Sequence, residues 1–200
     1  SESIHFAQFP AVSEPSPELT AAQNYVRGTA SNIMSSEANF TKKLSKGKAI
    51  TFDPRKPKQL TIFVAKKYPN WQEKYIDLVR ESFDSLNLSF NDKELSAKVG
   101  KLGEMKKAMP FVQNLKRRLV HAGESPATVF DRKLPFDELA VLSEMVGGLK
   151  RTSGFKEIEI IAVDEGGKTG EVVGTGEKRE GLSGENAVPG TPTFQFVNVE

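Results

Sequence analysis

Over residues 105–119, MKKAMPFVQNLKRRL, the chain carries an apolar stripe and a basic stripe on one helical period. At 100° per residue Met105, Ala108, Met109, Val112, Leu115 and Leu119 gather on one side with Phe111 at its margin, so that side is expected to face a core. The opposite side presents Lys106, Gln113 and Arg117 along one ridge and Lys107, Asn114 and Arg118 along the next, with no carboxylate among them. Pro110 lies inside this run. It removes one backbone hydrogen bond and crowds the preceding turn, which predicts a kink or a fresh start there.

The same pattern places the other elements. Residues 1–15 are loop-like. Ser16, Pro17 and Glu18 form a helix start, with a hydroxyl cap, proline at the first helical position and a carboxylate at the positive end of the dipole. Leu19, Ala22, Val26, Ile33, Phe40 and Leu44 then repeat at helical spacing, predicting one long helix over 18–46. Its stripe is narrow, so it is expected to lean on a neighbour only partly present in this chain. A coiled coil is the alternative, weakened by Thr29 and Glu37 in the seam. Residues 45–59, basic and broken by prolines, read as a linker. A β-strand is expected at 60–65, a helix capped by Asn70 over 71–86 with Leu86 on its buried face, and a shorter helix from Asn91 or Asp92 to the glycines at 100 and 103. After Gly123 a short strand is expected at 134–136, a helix over 138–150 capped by Asp137, and a half-buried strand over 156–163. Glycine is then frequent and apolar residues are sparse, which predicts a flexible surface loop over 164–190 before a last strand at 193–199. The expected fold class is α+β: a small mixed sheet packed by several helices and preceded by a long helix.

A net charge of +2 conceals segregation: residues 1–41 carry −3, residues 42–118 carry +11 and residues 119–200 carry −6. A middle of that sign is the footprint of a surface that meets a polyanion, through salt-sensitive phosphate contacts. Lys101, Lys106, Lys107, Lys116, Arg117 and Arg118 are its candidate contact residues; solvation of an exposed helix face is the plainer account of the same cations. An anionic membrane surface is the other polyanion considered, but no apolar run approaches the ~20 residues a bilayer span needs, no signal peptide is visible, and no membrane partner is expected. Without cysteine there are no disulfides or thiolate metal sites, which fits a reducing compartment. The chain starts without methionine and is expected to be a piece of something larger.

Specific chemistry is scarce. Residues 162–169, AVDEGGKT, fit a relaxed phosphate-loop pattern after a predicted strand. Yet Gly170, Gly174 and Gly176 forbid the helix whose N-terminal amides would hold phosphates, and Asp164 and Glu165 would repel them, so a plain hairpin loop is expected. His5 and His121 lie apart without carboxylates at ligand spacing, and no metal site is expected. Serine and threonine lack partners for nucleophilic catalysis. Trp71 and most phenylalanines sit at core spacing; Phe194 and Phe196, after the loose loop, are candidates for an exposed edge. No catalytic residue is proposed, and the residues alone describe a basic α+β binding module with an extra helix.

Several words of the chain, in order, resemble a known family. Thr61 to Pro69, TIFVAKKYP, followed by Trp71 and Gln72, is similar to the start of the C-terminal domain of leucyl-tRNA synthetase of eukaryotic cytosolic type. So are Met109-Pro110-Phe111-Val112 after a lysine pair, Phe136-Asp137-Glu138 with Ala140-Val141-Leu142, Ile158-Glu159, and Pro189-Gly190-Thr191-Pro192 before Phe196. The similarity runs from about residue 17 to the end, and the Gly-rich 164–190 stretch is longer than the family usually shows. The resemblance implies that residues 1–50 end a helical anticodon-binding domain and that 57–200 form a tRNA-binding extension. The implied partners are tRNA(Leu), held by its outer parts and long variable arm, and the catalytic and anticodon-binding domains of the same parent chain. The parent would join leucine to tRNA in the cytoplasm with ATP and magnesium. The family's HIGH and KMSKS signatures are absent here, so this stretch is expected to be inactive alone and to hold no cofactor. Phe194 and Phe196 would then serve an unpaired base. The alternative is a protein interaction module, within a multisynthetase complex or with a small GTPase in amino-acid sensing, with the acidic 119–200 segment making the contact.

Overall fold

A computed structural model of the chain describes residues 14–200. The expected loop up to residue 13 and His5 lie outside the described residues. The first helix, α1 (Pro17–Ser45), begins as its sequence dictates, with the Ser16 hydroxyl accepting from the Leu19 amide. Strand β1 (Lys58–Ala65) follows, then α2 (Asn70–Ser82), a two-stranded hairpin β2 (Phe83–Asp84) and β3 (Ser89–Phe90), α3 (Asp92–Leu102), α4 (Met105–Val120), α5 (Pro126–Asp131) and α6 (Glu138–Ser153). The chain closes with β4 (Glu157–Val163), β5 (Gly170–Val172), β6 (Lys178–Arg179) and β7 (Thr193–Asn198). The α+β class is as expected.

Five strands form one mixed sheet in the order β6-β5-β4-β1-β7. β1 and β4 are parallel, in a register that pairs Ile62 with Ile160, while β7 runs antiparallel on the far side of β1, pairing Leu60 with Phe196. Being central, β1 is buried on both faces, which is why it reads as a continuous apolar run and not as an alternation. Leu60, Ile62 and Val64 face α1 and α6, where Ile33, Leu142, Leu149 and Phe155 meet them. Phe63 and Ala65 face the other way, against Ile161, Val163, Val172 and Ala187. The neighbour that α1 needs is thus α6 and the sheet, and its seam is intramolecular.

The return from β1 to β4 carries a second body. Tyr75, Ile76 and Val79 of α2, Leu95 and Val99 of α3, Ala108, Val112, Leu115 and Leu119 of α4, and Val129 and Phe130 of α5 form a core of their own. Each fully buried aliphatic or aromatic side chain contributes about 1.5–3 kcal/mol, so this helical unit holds itself together beside the sheet.

Six local expectations are corrected. The helix expected over 71–86 stops at Ser82, and Leu86 is 93% exposed. There the Asp84 carboxylate accepts from the Leu86 and Asn87 amides and from the Asn87 side chain, a local turn that outcompetes another helical turn. Asn70 is the first helical residue and does not cap; its side-chain amide donates to Glu165 instead. No strand forms at 134–136, whereas α5, capped by Ser125, is an element that periodicity does not predict. Helix α4 continues through Pro110 with no fresh start. The stretch 164–190 is built structure: β5 and β6 extend the sheet, and Ala187 is buried. Its glycines serve geometry. A Cβ on Gly170 would stand 2.7 Å from the Ala162 carbonyl oxygen, so only glycine lets β5 lie this close to β4. The segment that reads as a linker is also anchored, since Phe52 is 1% exposed among Phe40 and Phe196 and the Asp53 amide donates to Asn198.

Candidate nucleic-acid interface

Helix α4 turns Ala108, Met109, Val112, Leu115 and Leu119 into the helical core and leaves the basic side outside; Met105, expected on the core side, is instead 44% exposed in the first turn. Among the cations proposed from sequence, the structure makes a distinction that spacing does not. Arg118 is bound by Glu124 through both its Nε and Nη2, the latter at 2.6 Å. Lys116 is bonded to Asp92 and lies 5.5 Å from the centre of the Phe90 ring. Lys107 sits 4.5 Å above the Trp71 ring. Lys101, Lys106 and Arg117 are exposed and have no ion-pair partner among the described residues.

Arg117 opens onto a groove of about 600 Å³ between α4 and the β2–β3 hairpin. One wall is Gln113, Asn114 and Arg117, outward positions of the helix, with His121 just past its C-terminal end; the other is Leu88, Ser89 and Phe90. Val120, 38% exposed, and Leu88, 54% exposed, put apolar surface at its mouth. The single carboxylate of the groove, Asp92, is engaged by Lys116. Amides, a guanidinium and an imidazole thus converge on one concavity with no free acid opposing them, an arrangement suited to hydrogen bonding with bases and phosphates. The hairpin half of this groove escapes a reading of the sequence. Its only local signal is the Asp84–Asn87 turn, hidden inside an apolar spacing that continues the α2 period.

The two phenylalanines of β7 lie elsewhere. Phe194 and Phe196 are half-buried on the face toward α1 and α6, and the Phe196 ring packs 5.4 Å from Phe52, 5.7 Å from Phe40 and 6.1 Å from Phe155. The outward side of β7 carries Gln195 and Val197. Residues 162–169 close the β4–β5 turn, with the Asp164 amide donating to Thr169, and no helix follows. Among the described residues no His, Asp and Glu cluster forms a metal site, and no helix is long and apolar enough to cross a membrane.

A second arrangement, invisible in the sequence, ties the helical unit to the sheet. The Arg132 side chain is only 8% exposed; its guanidinium stacks 3.6 Å from the Tyr68 ring centre and donates to Gln72. Tyr68 donates to the Pro189 carbonyl at 3.2 Å. One residue on, the Gly190 amide donates to Glu138, whose other oxygen accepts from Tyr25 of α1 at 2.6 Å. Burial pushes the Glu138 carboxyl above its ordinary range against the pull of these two donors, and burial likewise lowers Arg132.

A family profile described as "Leucine--tRNA ligase, RagD-binding domain" matches residues 64–131, which run from the end of β1 through the whole helical unit. The chain is 48% identical over 203 residues to the cytoplasmic leucine–tRNA ligase of Neurospora crassa, covering 99% of this chain and 18% of that protein. It is 35% identical over 205 residues to the cytoplasmic leucine–tRNA ligase of Saccharomyces cerevisiae, covering 98% of this chain and 18% of the relative. By these matches the chain is a region of an aminoacyl-tRNA synthetase. It belongs to the leucyl-tRNA synthetase family of eukaryotic cytosolic type, and it spans about a fifth of the length of the curated relatives it matches.

Proposed function

We propose that this region holds tRNA(Leu) for its parent synthetase, by the outer parts and long variable arm of the tRNA. What carries the reading is the outer side of α4, which itself bears no carboxylate, with Lys106 and Arg117 unpaired among the described residues and Arg117 lining the groove, inside a segment of net charge +11. In this reading residues 1–50 complete the helical anticodon-binding domain, 57–200 are the tRNA-binding extension, and the protein works in the cytoplasm, as the names of the relatives have it. Leucine activation, with ATP and magnesium, belongs to a catalytic domain outside this chain.

The test is the salt dependence of tRNA binding. Replacing Lys106 and Arg117 together by alanine is expected to flatten the log–log slope by roughly 0.7–0.9 for each phosphate that is no longer neutralised. Replacing Arg118, already bound to Glu124, should flatten it less. A slope unchanged in the double variant would make these cations mere solvation.

The family profile favours a second reading, docking of a Rag-type small GTPase. The matched residues 64–131 cover the helical unit and share only 119–131 with the acidic 119–200 segment to which charge alone assigns such a partner. The exposed Leu86 and Leu88 at the hairpin supply the apolar surface that a protein interface uses at its centre. Changing Leu86, which does not line the groove, to aspartate should weaken GTPase binding under this reading and leave the tRNA slope as it was.

A further inference from the structure

We infer that the groove between α4 and the β2–β3 hairpin takes a single unpaired nucleotide, and is not a bed for a duplex backbone. The inference rests on the tRNA reading and names what the site would hold. Double-stranded binding by charge uses many phosphate contacts, on the order of 6–10 in strong cases. The outer side of α4 cannot offer them, because Lys116 and Arg118 are committed to Asp92 and Glu124 and Lys107 lies over Trp71. Arg117 is the one cation of the groove wall without an ion-pair partner among the described residues.

What the groove has in place of charge is edge-reading capacity. Gln113 and Asn114 each present a donor and an acceptor, the pair of functions that an adenine or another base edge requires. Leu88 and Val120 offer apolar surface to a base face, and Arg117 stands one helical turn from Gln113, placed for a phosphate. The volume, about 600 Å³, lies within the range of roughly 300–1,000 Å³ that accommodates small organic ligands. An acidic peptide would need cations and leave both amides idle. An unstacked nucleotide uses all three kinds of group, which is how single-stranded RNA is recognised.

The experiment uses this chain and three RNA probes at one salt concentration: a mixed-sequence single-stranded octanucleotide, the same strand annealed to its complement, and tRNA with a long variable arm. Single strand is expected to bind at least several-fold tighter than duplex. Gln113→Leu with Asn114→Leu, both exposed positions, should weaken the single strand about tenfold with circular dichroism unchanged. Arg117→Gln should lower the salt slope, measured in a separate titration, by roughly 0.7, the contribution of one single-strand phosphate. Equal binding of duplex and single strand, indifference to the double leucine variant, or displacement of the strand by oligoglutamate would each overturn the assignment. Should tRNA bind with a salt dependence that the Lys106 and Arg117 double variant flattens, while the double leucine variant changes nothing, the tRNA reading stands and this one falls. Absence of tRNA binding at low salt would end both.

Discussion

Arg132 follows α5 in the left-handed region, with φ +55, and sends its guanidinium into the packing between Tyr68, Gln72 and Phe111. A charged side chain at a site that backbone strain disfavours is retained only where its interactions outweigh the strain, about 1–2 kcal/mol for an L-residue. Arg132→Ala is therefore expected to destabilise the chain by about 2–4 kcal/mol in urea unfolding, because it removes a stacked plane and leaves Gln72 unpaired. Lysine should not restore the loss, lacking a plane to stack. Glu138 makes a prediction of the opposite kind. Its carboxyl is raised in the folded protein, so the folded state holds the proton more tightly than the unfolded chain, whose glutamate titrates near about 4.3. The stability it contributes is complete below that value and declines as pH rises through the folded pKa. Glu138→Gln can keep both bonds, accepting from Gly190 and donating to the Tyr25 hydroxyl. The stability difference, wild type minus variant, should fall as pH is raised from about 4 and then level off; a difference independent of pH would mean that the group is not shifted.

Among the elements, those set by local chemistry are legible in the sequence and those set by distant neighbours are not. Ser16, Asn91 and Asp137 cap their helices through amides three residues on, within the reach of any sequence reading. The hairpin is hidden because Phe83 and Leu86 continue the spacing of Trp71, Tyr75 and Val79, and periodicity cannot register that the Asp84 side chain has captured the next backbone amides. This has a measurable counterpart. Asp84→Ala should cost about 1 kcal/mol, while Leu86→Ala, at a position 93% exposed, should stay within about 0.5 kcal/mol; thermal unfolding of the two variants separates a turn from a buried helix end. The 164–190 stretch misleads for a related reason: its glycines report close backbone approach to β4 and positive φ at the turns, and composition alone cannot tell that from flexibility. In the candidate interface the apolar and basic sides of α4 are legible from Ala108 onward, while Met105, expected on the core side, is 44% exposed at the start of the helix. Which cations are already neutralised is not, since Glu124 and Asp92 reach them from outside the helix.

At the scale of the whole molecule, β7 is the strand that joins its ends. It pairs with β1 from Lys58 to Phe63, its phenylalanines pack on α1 and on the segment around Phe52, and Asn198 binds Asp53 and Pro57 through three hydrogen bonds. Removing residues 193–200 would therefore uncover Leu60 and Ile62 and release α1 from part of its seat, an expected loss of cooperative unfolding and not a clean test of RNA binding. The outward positions provide that test. Gln195 and Val197 lie on the side of the sheet edge away from α1 and α6, so Gln195→Ala with Val197→Ser should hold the circular dichroism spectrum and shift stability by no more than about 0.5 kcal/mol. If the tail meets tRNA, it does so there, through those two side chains and the free backbone groups of an edge strand. In the parent synthetase the double variant is then expected to raise the apparent KM for tRNA while leaving leucine-dependent ATP–pyrophosphate exchange at its original rate, because the exchange reaction does not require tRNA at this edge. Unchanged charging by the folded double variant would leave β7 with one task, closing the sheet over α1.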